Sequence, residues 1–169
     1  MWYTVKQTEP KEGRAVAEKV QNRTIAQNKK AYHDYFVDEK YEAGIELFGT
    51  EVKSIRGGGI NLKDSYCMIE AGEIFAVGVH VSPYEKGNIF NRDPYRVKKL
   101  LMHKKEINKL LGQITQKGLT LVPLSVYFKG SKLKMEIGLC RGKKLYDKRD
   151  DAARKQAERD IERAHKERY

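Results

Sequence analysis

The final segment of the chain constrains the fold most, because it is charged throughout and offers almost nothing to bury. From Gly142 to Tyr169 it reads GKKLYDKRDDAARKQAERDIERAHKERY, with ten Lys or Arg against seven Asp or Glu. Its Ala, Arg, Lys, Glu and Gln favour a helix, but its few apolar residues form no face that could pack on a core. We expect a basic tail that is disordered alone and becomes helical on a polyanion, the alternative being a solubilising tail.

Charge and composition favour an anionic partner. The chain has 169 residues, 34 Lys or Arg and a net charge of +11, which predicts one domain with appendages that meets nucleic acid or an anionic surface. No apolar run approaches the roughly 20 residues that span a membrane, and the N-terminus lacks the apolar centre of a secretory signal. The two isolated cysteines and four scattered histidines lack the spacing of metal ligands. We expect a cytoplasmic protein with reduced thiols, no metal, no cofactor and no membrane association.

The chain divides into three parts. Residues 1–24 are polar and are predicted to form a loosely ordered N-terminal extension, with a weak helical turn from Ala15 to Val20. Residues 25–141 carry the apolar periodicity of a folded core. Residues 142–169 are the basic tail.

Alternating apolar residues predict that the core is built mainly of strands. In the clearest case, from Lys132 to Cys140, the apolar residues face inward while Lys132 and Lys134 face outward. Ala71-Gly72 predicts a tight hairpin, and Pro123 predicts an edge strand or a bulge. The inward residues of the clearest strand are Leu133, Met135, Ile137 and Leu139, and the other predicted strands are Tyr41–Phe48, Ser65–Glu70, Glu73–Val81 and Leu119–Phe128.

Two helices interrupt the strands. A short one is predicted from a Thr50 cap to the three glycines that begin at Gly57. A longer one ends at Lys117-Gly118, and its start is open between Asp93-Pro94 and His103. The predicted fold is mainly β: a small closed antiparallel barrel of the oligonucleotide-binding type with flanking helices and the basic C-terminal tail. A β-sandwich is the alternative.

The sequence offers little that could catalyse a reaction. The three glycines from Gly57 are not followed by Gly-Lys-Ser/Thr, so a turn is favoured over a phosphate loop. His33-Asp34 has no second His-Asp set to complete a metal-hydrolase site. Cys67 and Cys140 are interpreted as buried, inert thiols. No combination of nucleophile, base and orienting residue can be assembled, and the prediction is that the protein is not an enzyme.

Residue types suited to RNA binding are better represented. Lys53 and Arg56 are three residues apart and could share a helix face. The Asn28-Lys29-Lys30 cluster precedes Tyr32, Tyr35 and Phe36, and cations interleaved with aromatic rings suit phosphates and unstacked bases. Core packing is the alternative for these rings, and it is the favoured one for Phe36.

Several segments together resemble the SsrA-binding protein family (small protein B), the bacterial partners of transfer-messenger RNA. They occur in family order from about Asn22 to Arg149, whereas Cys140-Arg141 departs from the small residue and lysine expected there. The matching segments are Ala26–Ala31 (AQNKKA), Tyr41–Ile45 (YEAGI), Gly49–Arg56 (GTEVKSIR), Asn61–Tyr66 (NLKDSY), Lys99–Leu101 (KLL) and Gly142–Arg149 (GKKLYDKR).

The resemblance implies that the barrel holds the tRNA-like domain of transfer-messenger RNA. The family's RNA-binding residues correspond to Glu42, Leu101 and Lys134, although spacing alone would place Leu101 in the core. A carboxylate such as Glu42 either accepts hydrogen bonds from bases or orients a neighbouring cation, and both roles stay open. The full predicted set is Asn28, Lys30, Tyr35, Glu42, Lys53, Arg56, Asn61, Leu101, Lys132 and Lys134.

The resemblance also implies a ribosomal role for the tail, which would become helical in the empty messenger channel of the small subunit near the decoding centre. Elongation factor Tu is then a further partner within the delivery complex, and the protein acts as a monomer. The predicted ribosome-binding residues are Gly142, Lys143, Lys144, Tyr146, Asp147, Lys148 and Arg149. The alternatives are a general structured-RNA or ribosomal RNA-binding protein with the same kind of barrel, and an RNA-processing enzyme.

Overall fold

The computed structural model describes residues 23–166, apart from the side chains of Leu145 and Tyr146. The predicted turn at Ala15–Val20, and nearly all of the N-terminal extension, lie outside the described residues. In chain order the elements are β1 (Arg23–Gln27), α1 (Lys29–Asp34), β2 (Tyr35–Ile45), α2 (Gly49–Arg56), β3 (Ile60–Asn61), β4 (Tyr66–Glu70), β5 (Glu73–Val77), β6 (His80–Val81), a 3-10 turn (Asn88–Phe90), β7 (Lys98–Leu101), α3 (Lys104–Lys117), β8 (Thr120–Lys129), β9 (Lys132–Gly142) and α4 (Leu145–Lys166).

Six antiparallel strands close into a ring in the order β8-β4-β5-β7-β2-β9. Closure occurs because β8 pairs with both β4 and β9, and β1 lies outside the ring on the free side of β8. β3 and β6 form a separate two-stranded ladder. The predicted closed antiparallel sheet with flanking helices is therefore confirmed, and the sandwich alternative is wrong.

The main core fills the inside of this ring. Alternation in β9 is confirmed, since Met135, Ile137 and Leu139 are almost completely buried and Leu133 packs partly against them. α2 and α3 add apolar side chains from outside the sheet, principally Ile55, Ile107 and Leu110. Burial of such side chains contributes about 1.5–3 kcal/mol each and dominates the stability of the ring.

A second, smaller apolar cluster lies on the outer side of the ring beneath α1. It consists of Ala31, Val122, Leu124 and Cys140, with Tyr32, Tyr35 and Val37 packed against it. Gly138 allows this close approach, because a Cβ there would lie 2.8 Å from Leu124 Cδ1. The end of β9 is therefore buried on both faces, which single-face alternation does not predict.

Local details of several predicted elements differ in the structure. β2 begins at Tyr35 and ends at Ile45, whereas the alternation predicted Tyr41–Phe48. Phe48, not Thr50, precedes the first turn of α2, and its N–H donates to Glu51 Oε2 at 2.8 Å. The segment before His103 is strand β7, so only the shorter of the two starts predicted for the long helix is correct.

The turn predictions hold. Ala71 and Gly72 both have positive φ, 50° and 73°, as a tight hairpin between β4 and β5 requires. Pro123 lies where the register of β8 against β9 shifts, so the predicted bulge is confirmed. The edge alternative is wrong, since β8 has neighbours on both sides.

One buried lysine was not anticipated from the sequence. Lys98 is 1 % exposed, and its ammonium donates to the carbonyl oxygens of Val79 and Arg96, both at 2.8 Å, and of Pro94 at 3.3 Å. Burial lowers the pKa of this ammonium to about 8, against a weaker opposing effect of Glu51. Lys98 thus ties the loop that leads into β7 to the connection between β5 and β6.

Both cysteines are free and buried. Burial raises the pKa of both thiols, that of Cys140 to about 11, so neither is a reactive thiolate near neutral pH. Among residues 23–166 no helix has the length and apolar character to cross a membrane. No group of three or more His, Cys, Asp or Glu side chains within this range is arranged to hold a metal ion.

Candidate nucleic-acid interface

Strand register brings Glu42, Leu101 and Lys134 together on the outer surface of the ring. Gly44 of β2 pairs with Leu101 on one side and with Lys134 on the other. Ala43 points into the core, so Glu42 and Gly44 face outward because successive side chains of a strand alternate. The three side chains line one open groove of 570 Å³, which we call the Glu42 face.

Leu101 lies opposite Gly44 on the outer surface and is largely exposed to solvent. Its side chain is 53 % exposed, and a Cβ on Gly44 would lie 3.2 Å from Leu101 Cβ. The leucine therefore covers the space that a larger residue at position 44 would occupy. An exposed apolar side chain between charged neighbours suits contact with the face of an unstacked base.

Glu42 acts as the anionic centre of a cluster of cations. Its carboxylate accepts hydrogen bonds from the Tyr127 hydroxyl at 2.6 Å and from Lys129 Nζ at 3.1 Å, and Lys134 Nζ lies 3.7 Å away. Hydrogen bonding by Tyr127, then by Lys129, lowers the pKa of this carboxyl. Of the two roles left open by the sequence, the structure supports orientation of the neighbouring lysines. The RNA-binding residues predicted from the sequence did not include Tyr127 and Lys129. Lys129 could have been found, because it lies opposite the predicted residue Lys132 across the β8–β9 turn.

The Glu42 face continues towards α2. An adjoining groove of 430 Å³ is lined by Leu101, Phe128, Lys132 and Lys134, among others. The Arg56 guanidinium lies 5.7 Å from the centre of the Phe128 ring. Lys132, Lys134 and Arg56 therefore share one surface, as a cationic RNA interface requires.

Lys53, three residues before Arg56 on α2, turns towards a different ring. Its Nζ lies 5.6 Å from the centre of the Tyr84 ring. Both α2 cations are exposed, but they approach different rings and extend the surface in two directions. α2 is thus the element that joins the Glu42 face to the loop after β6.

Asn28 requires a correction, because its side chain is buried and fully used within the protein. It is 5 % exposed; its amide donates to the carbonyl oxygens of Leu62 at 2.9 Å and Pro123 at 3.1 Å. Its Oδ1 accepts from Ala31 N at 3.1 Å and so caps α1. Asn28 positions α1 against the sheet and has no amide group left to offer RNA.

The remaining predicted residues lie at the other end of β2. Lys30 is exposed and ion-paired with Asp64, and Tyr35 lines a groove of 280 Å³ beside them. Asn61 is exposed, with its Oδ1 accepting from Lys63 N at 2.9 Å. Tyr35 and Glu42 are seven positions apart along β2, a distance of about 23 Å, so the structure does not bring this group to the Glu42 face.

The start of the tail is fastened to α1 and β2. Lys143 N donates to Asp34 O at 2.9 Å, and Lys143 Nζ donates to Tyr32 O at 3.1 Å while lying 4.8 Å from the Phe36 ring centre. Lys148 Nζ donates to Asp34 Oδ1 at 2.8 Å, and this hydrogen bond, followed by that of His33, lowers the pKa of Asp34. We call Asp34, Phe36, Lys143 and Lys148, with Asp151 beside Lys143, the tail root.

The tail root corrects two expectations. Phe36 was predicted to be core but is 38 % exposed and covered by Lys143 and, at 5.8 Å, by Arg141. Lys143 has only 7 % of its side chain exposed, so its charge serves the junction between body and tail in this conformation.

The other predicted tail residues occupy the first turn of α4 and its approach. Gly142 ends β9, Lys144 N donates to Asp147 Oδ2 at 3.0 Å, and Arg149 is exposed. The Tyr146 side chain lies outside the described atoms. Every described residue of α4 after Asp151 is exposed, so the helix projects from the body.

Reversing the charge of Asp34 tests whether the tail root orients α4. Asp34→Lys removes the partner of Lys148 and places like charges together, so we expect the first turn of α4 to detach and hydrogen exchange there to accelerate roughly tenfold. Adding Lys148→Asp restores opposite charges and is expected to restore slow exchange. Asp38→Lys, near Arg141 on the surface, is the control; equal exchange in all variants would mean that the contact does not hold the tail.

Comparisons with known proteins agree with this geometry. The family described as SmpB protein matches residues 25–167. An SsrA-binding protein of Acetivibrio thermocellus is 60 % identical over 151 residues, covering 89 % of this chain and 98 % of that protein. One of Clostridium novyi is 63 % identical over 147 residues, covering 87 % and 94 %.

A solved structure described as "tmRNA-SmpB: a journey to the center of the bacterial ribosome" has a similar fold. It superposes with a TM-score of 0.60 at 50 % sequence identity, and the match covers 71 % of this chain and 85 % of that one. The similarity therefore extends over most of both chains.

Proposed function

Because the chain belongs to the SmpB protein family, we propose that it binds the tRNA-like domain of transfer-messenger RNA (tmRNA) and delivers it to stalled ribosomes. The result is rescue of the ribosome and tagging of the nascent peptide. The observation that carries the RNA-binding half is the convergence of Glu42, Leu101 and Lys134 on one exposed surface. The proposed action is binding alone, with no chemical step by the protein.

The Glu42 face has the chemistry for this partner. Lys134 and Lys132 supply positive charge for phosphates, Glu42 fixes Lys134 and Lys129 in place, and Leu101 offers an apolar surface to a base. Preorganised cations bind with less loss of side-chain entropy than free ones. This supports a face that recognises a folded RNA by shape as well as by charge.

The tail supplies the proposed ribosomal half. Beyond Asp151 the described part of α4 is exposed and carries more basic than acidic residues. It can therefore enter a channel lined with phosphate and release counterions. We propose that α4 occupies the messenger channel only when no message fills it. How ordered the tail is away from the ribosome stays a prediction, as does a monomer acting in the cytoplasm with elongation factor Tu in the delivery complex.

A competition assay tests the proposal directly. Labelled tRNA-like domain of tmRNA is bound at physiological salt and challenged with bulk tRNA and with unstructured RNA, since low salt would report charge alone. Strong preference for the tRNA-like domain is expected. Equal competition by all three RNAs would leave a general structured-RNA binder.

Removing the Lys134 charge is expected to weaken binding measurably. Lys134→Ala should lower the affinity for the tRNA-like domain by roughly tenfold and reduce the salt slope by about 0.9, because one phosphate contact is lost. Affinity is measured by filter binding from 50 to 300 mM salt. Lys117→Ala removes an exposed charge at the end of α3 and is expected to leave both quantities unchanged. The same result for Lys134→Ala would exclude a phosphate contact at Lys134.

A further inference from the structure

A loop between β6 and β7 holds two large apolar side chains almost entirely in solvent. Ile89 is 89 % exposed and Phe90 is 73 % exposed. Both lie in the 3-10 turn Asn88–Phe90. Adjacent apolar side chains kept in water cost solvation free energy, and such a patch commonly marks a contact surface.

Hydrogen bonds fix the shape of this loop. The Asn91 side chain accepts from Tyr84 N and donates to Tyr84 O, both at 3.0 Å, and Gly87 N donates to the same oxygen at 2.8 Å. A Cβ at Gly87 would lie 2.3 Å from Asn91 Oδ1, so a larger residue there would displace the amide that bonds Tyr84. Thr50 Oγ1 donates to Phe90 O at 3.1 Å and ties the loop to α2. The two apolar side chains are therefore presented on a preformed support.

Cations surround the apolar tip. Arg92 lies 4.5 Å from the centre of the Phe48 ring, and Lys53 lies 5.6 Å from that of Tyr84. Together with Lys86, Ile89 and Phe90 they line a groove of 430 Å³. Within the part of the chain that the structure describes, none of the residues lining this groove carries a carboxylate.

We propose that this loop face, made of Lys53, Lys86, Ile89, Phe90 and Arg92, is a second contact surface for the tRNA-like domain of tmRNA. An unstacked base packs on Phe90 and Ile89, while the three cations hold the flanking phosphates. The inference rests on the proposed function and extends it to residues outside the Glu42 face.

Charge and continuity select RNA as the occupant. The groove combines rings, an apolar tip and unopposed positive charge, which together match a base and its phosphates better than an apolar peptide. The loop face is also continuous with the Glu42 face, because α2 sends Arg56 towards Phe128 on one side and Lys53 towards Tyr84 on the other. One folded RNA can therefore span both surfaces.

Substitutions in the loop separate stacking from charge. Phe90→Ala is expected to weaken binding of the tRNA-like domain by about tenfold or more with an unchanged salt slope. Arg92→Ala is expected to weaken binding and to reduce the slope by about 0.9. Glu85→Ala, an exposed carboxylate in the same loop but outside the groove, is the control and is expected to stay within about twofold of the unmodified protein. Thermal unfolding checks that each variant is folded.

Photo-cross-linking locates the bound RNA. A benzophenone amino acid at position 90 is expected to cross-link to a segment of the tRNA-like domain different from that reached from position 101. If Phe90→Ala and Arg92→Ala bind like the unmodified protein while Lys134→Ala is weakened, the loop face does not contact this RNA and the proposed function stands. If the unmodified protein shows no preference for the tRNA-like domain, the proposed function fails and this inference fails with it.

Discussion

Removal of residues 145–169 is expected to abolish peptide tagging on stalled ribosomes while leaving the affinity for the tRNA-like domain within about twofold. The reason is structural: the ring closes without α4, since β9 ends at Gly142 and the buried core side chains that the structure describes all precede the tail. RNA affinity is measured by filter binding, and tagging by translation of a message without a stop codon. Loss of RNA affinity in the truncated protein would contradict this division of labour.

The position of the cut matters. Truncation after Arg141 would also remove Lys143, whose backbone bonds to Asp34 and whose ammonium bonds to Tyr32. That shorter protein is expected to lose stability at α1 as well as tagging activity. A cut after Lys144 is therefore the cleaner test, with the full-length chain as its reference.

Lys98→Met is expected to lower the free energy of unfolding by about 2–4 kcal/mol, a larger loss than for Lys134→Ala or Lys117→Ala. The substitution leaves the carbonyl oxygens of Val79, Pro94 and Arg96 without the donor that joins them. Urea unfolding measures the change. Lys99→Met is the matched control, because the neighbouring lysine pairs with Glu73 at the surface and is expected to cost less than about 1 kcal/mol.

The same substitution has a signature in pH. The pKa of Lys98 is about 8 in the folded protein, against an ordinary value of 10.5. Between these values the unfolded chain binds more protons, so the free energy of unfolding rises with pH. The unmodified protein should gain stability relative to Lys98→Met from about pH 8 to pH 10. Equal costs for Lys98→Met and Lys99→Met, with parallel pH profiles, would show that the buried ammonium does not hold the loop.

The parts of the fold that depend on neighbouring residues were predictable from the sequence. Alternation identified the inward residues of β9, and the Ala71-Gly72 pair identified the hairpin between β4 and β5. Both signals arise within a few residues of chain. Closure of the sheet was predicted as well. The strand ends were less accurate: β2 extends through Tyr35–Lys40, where its outward residues obscure the alternation.

Features that need contacts between distant residues were missed. Asn28 reaches carbonyl groups 34 and 95 residues away, and Lys148 reaches Asp34 across 114 residues, so nothing local distinguishes them from surface residues. Leu101 was taken for core on spacing alone. Its exposure follows from the register of β7 against Gly44. That register cannot be inferred when residues 98–101 are interpreted as part of a helix.

The pairing of β2 with β9 determines how late the protein can fold. Residues near 40 in β2 pair with residues near 138 in β9. During synthesis, that edge of β2 therefore stays unpaired until almost the whole ring has been made. Long-range pairing of this kind slows folding and leaves a strand edge open to other chains. Because α4 follows β9 in the chain, β9 can pair and close the ring before α4 has been fully synthesised.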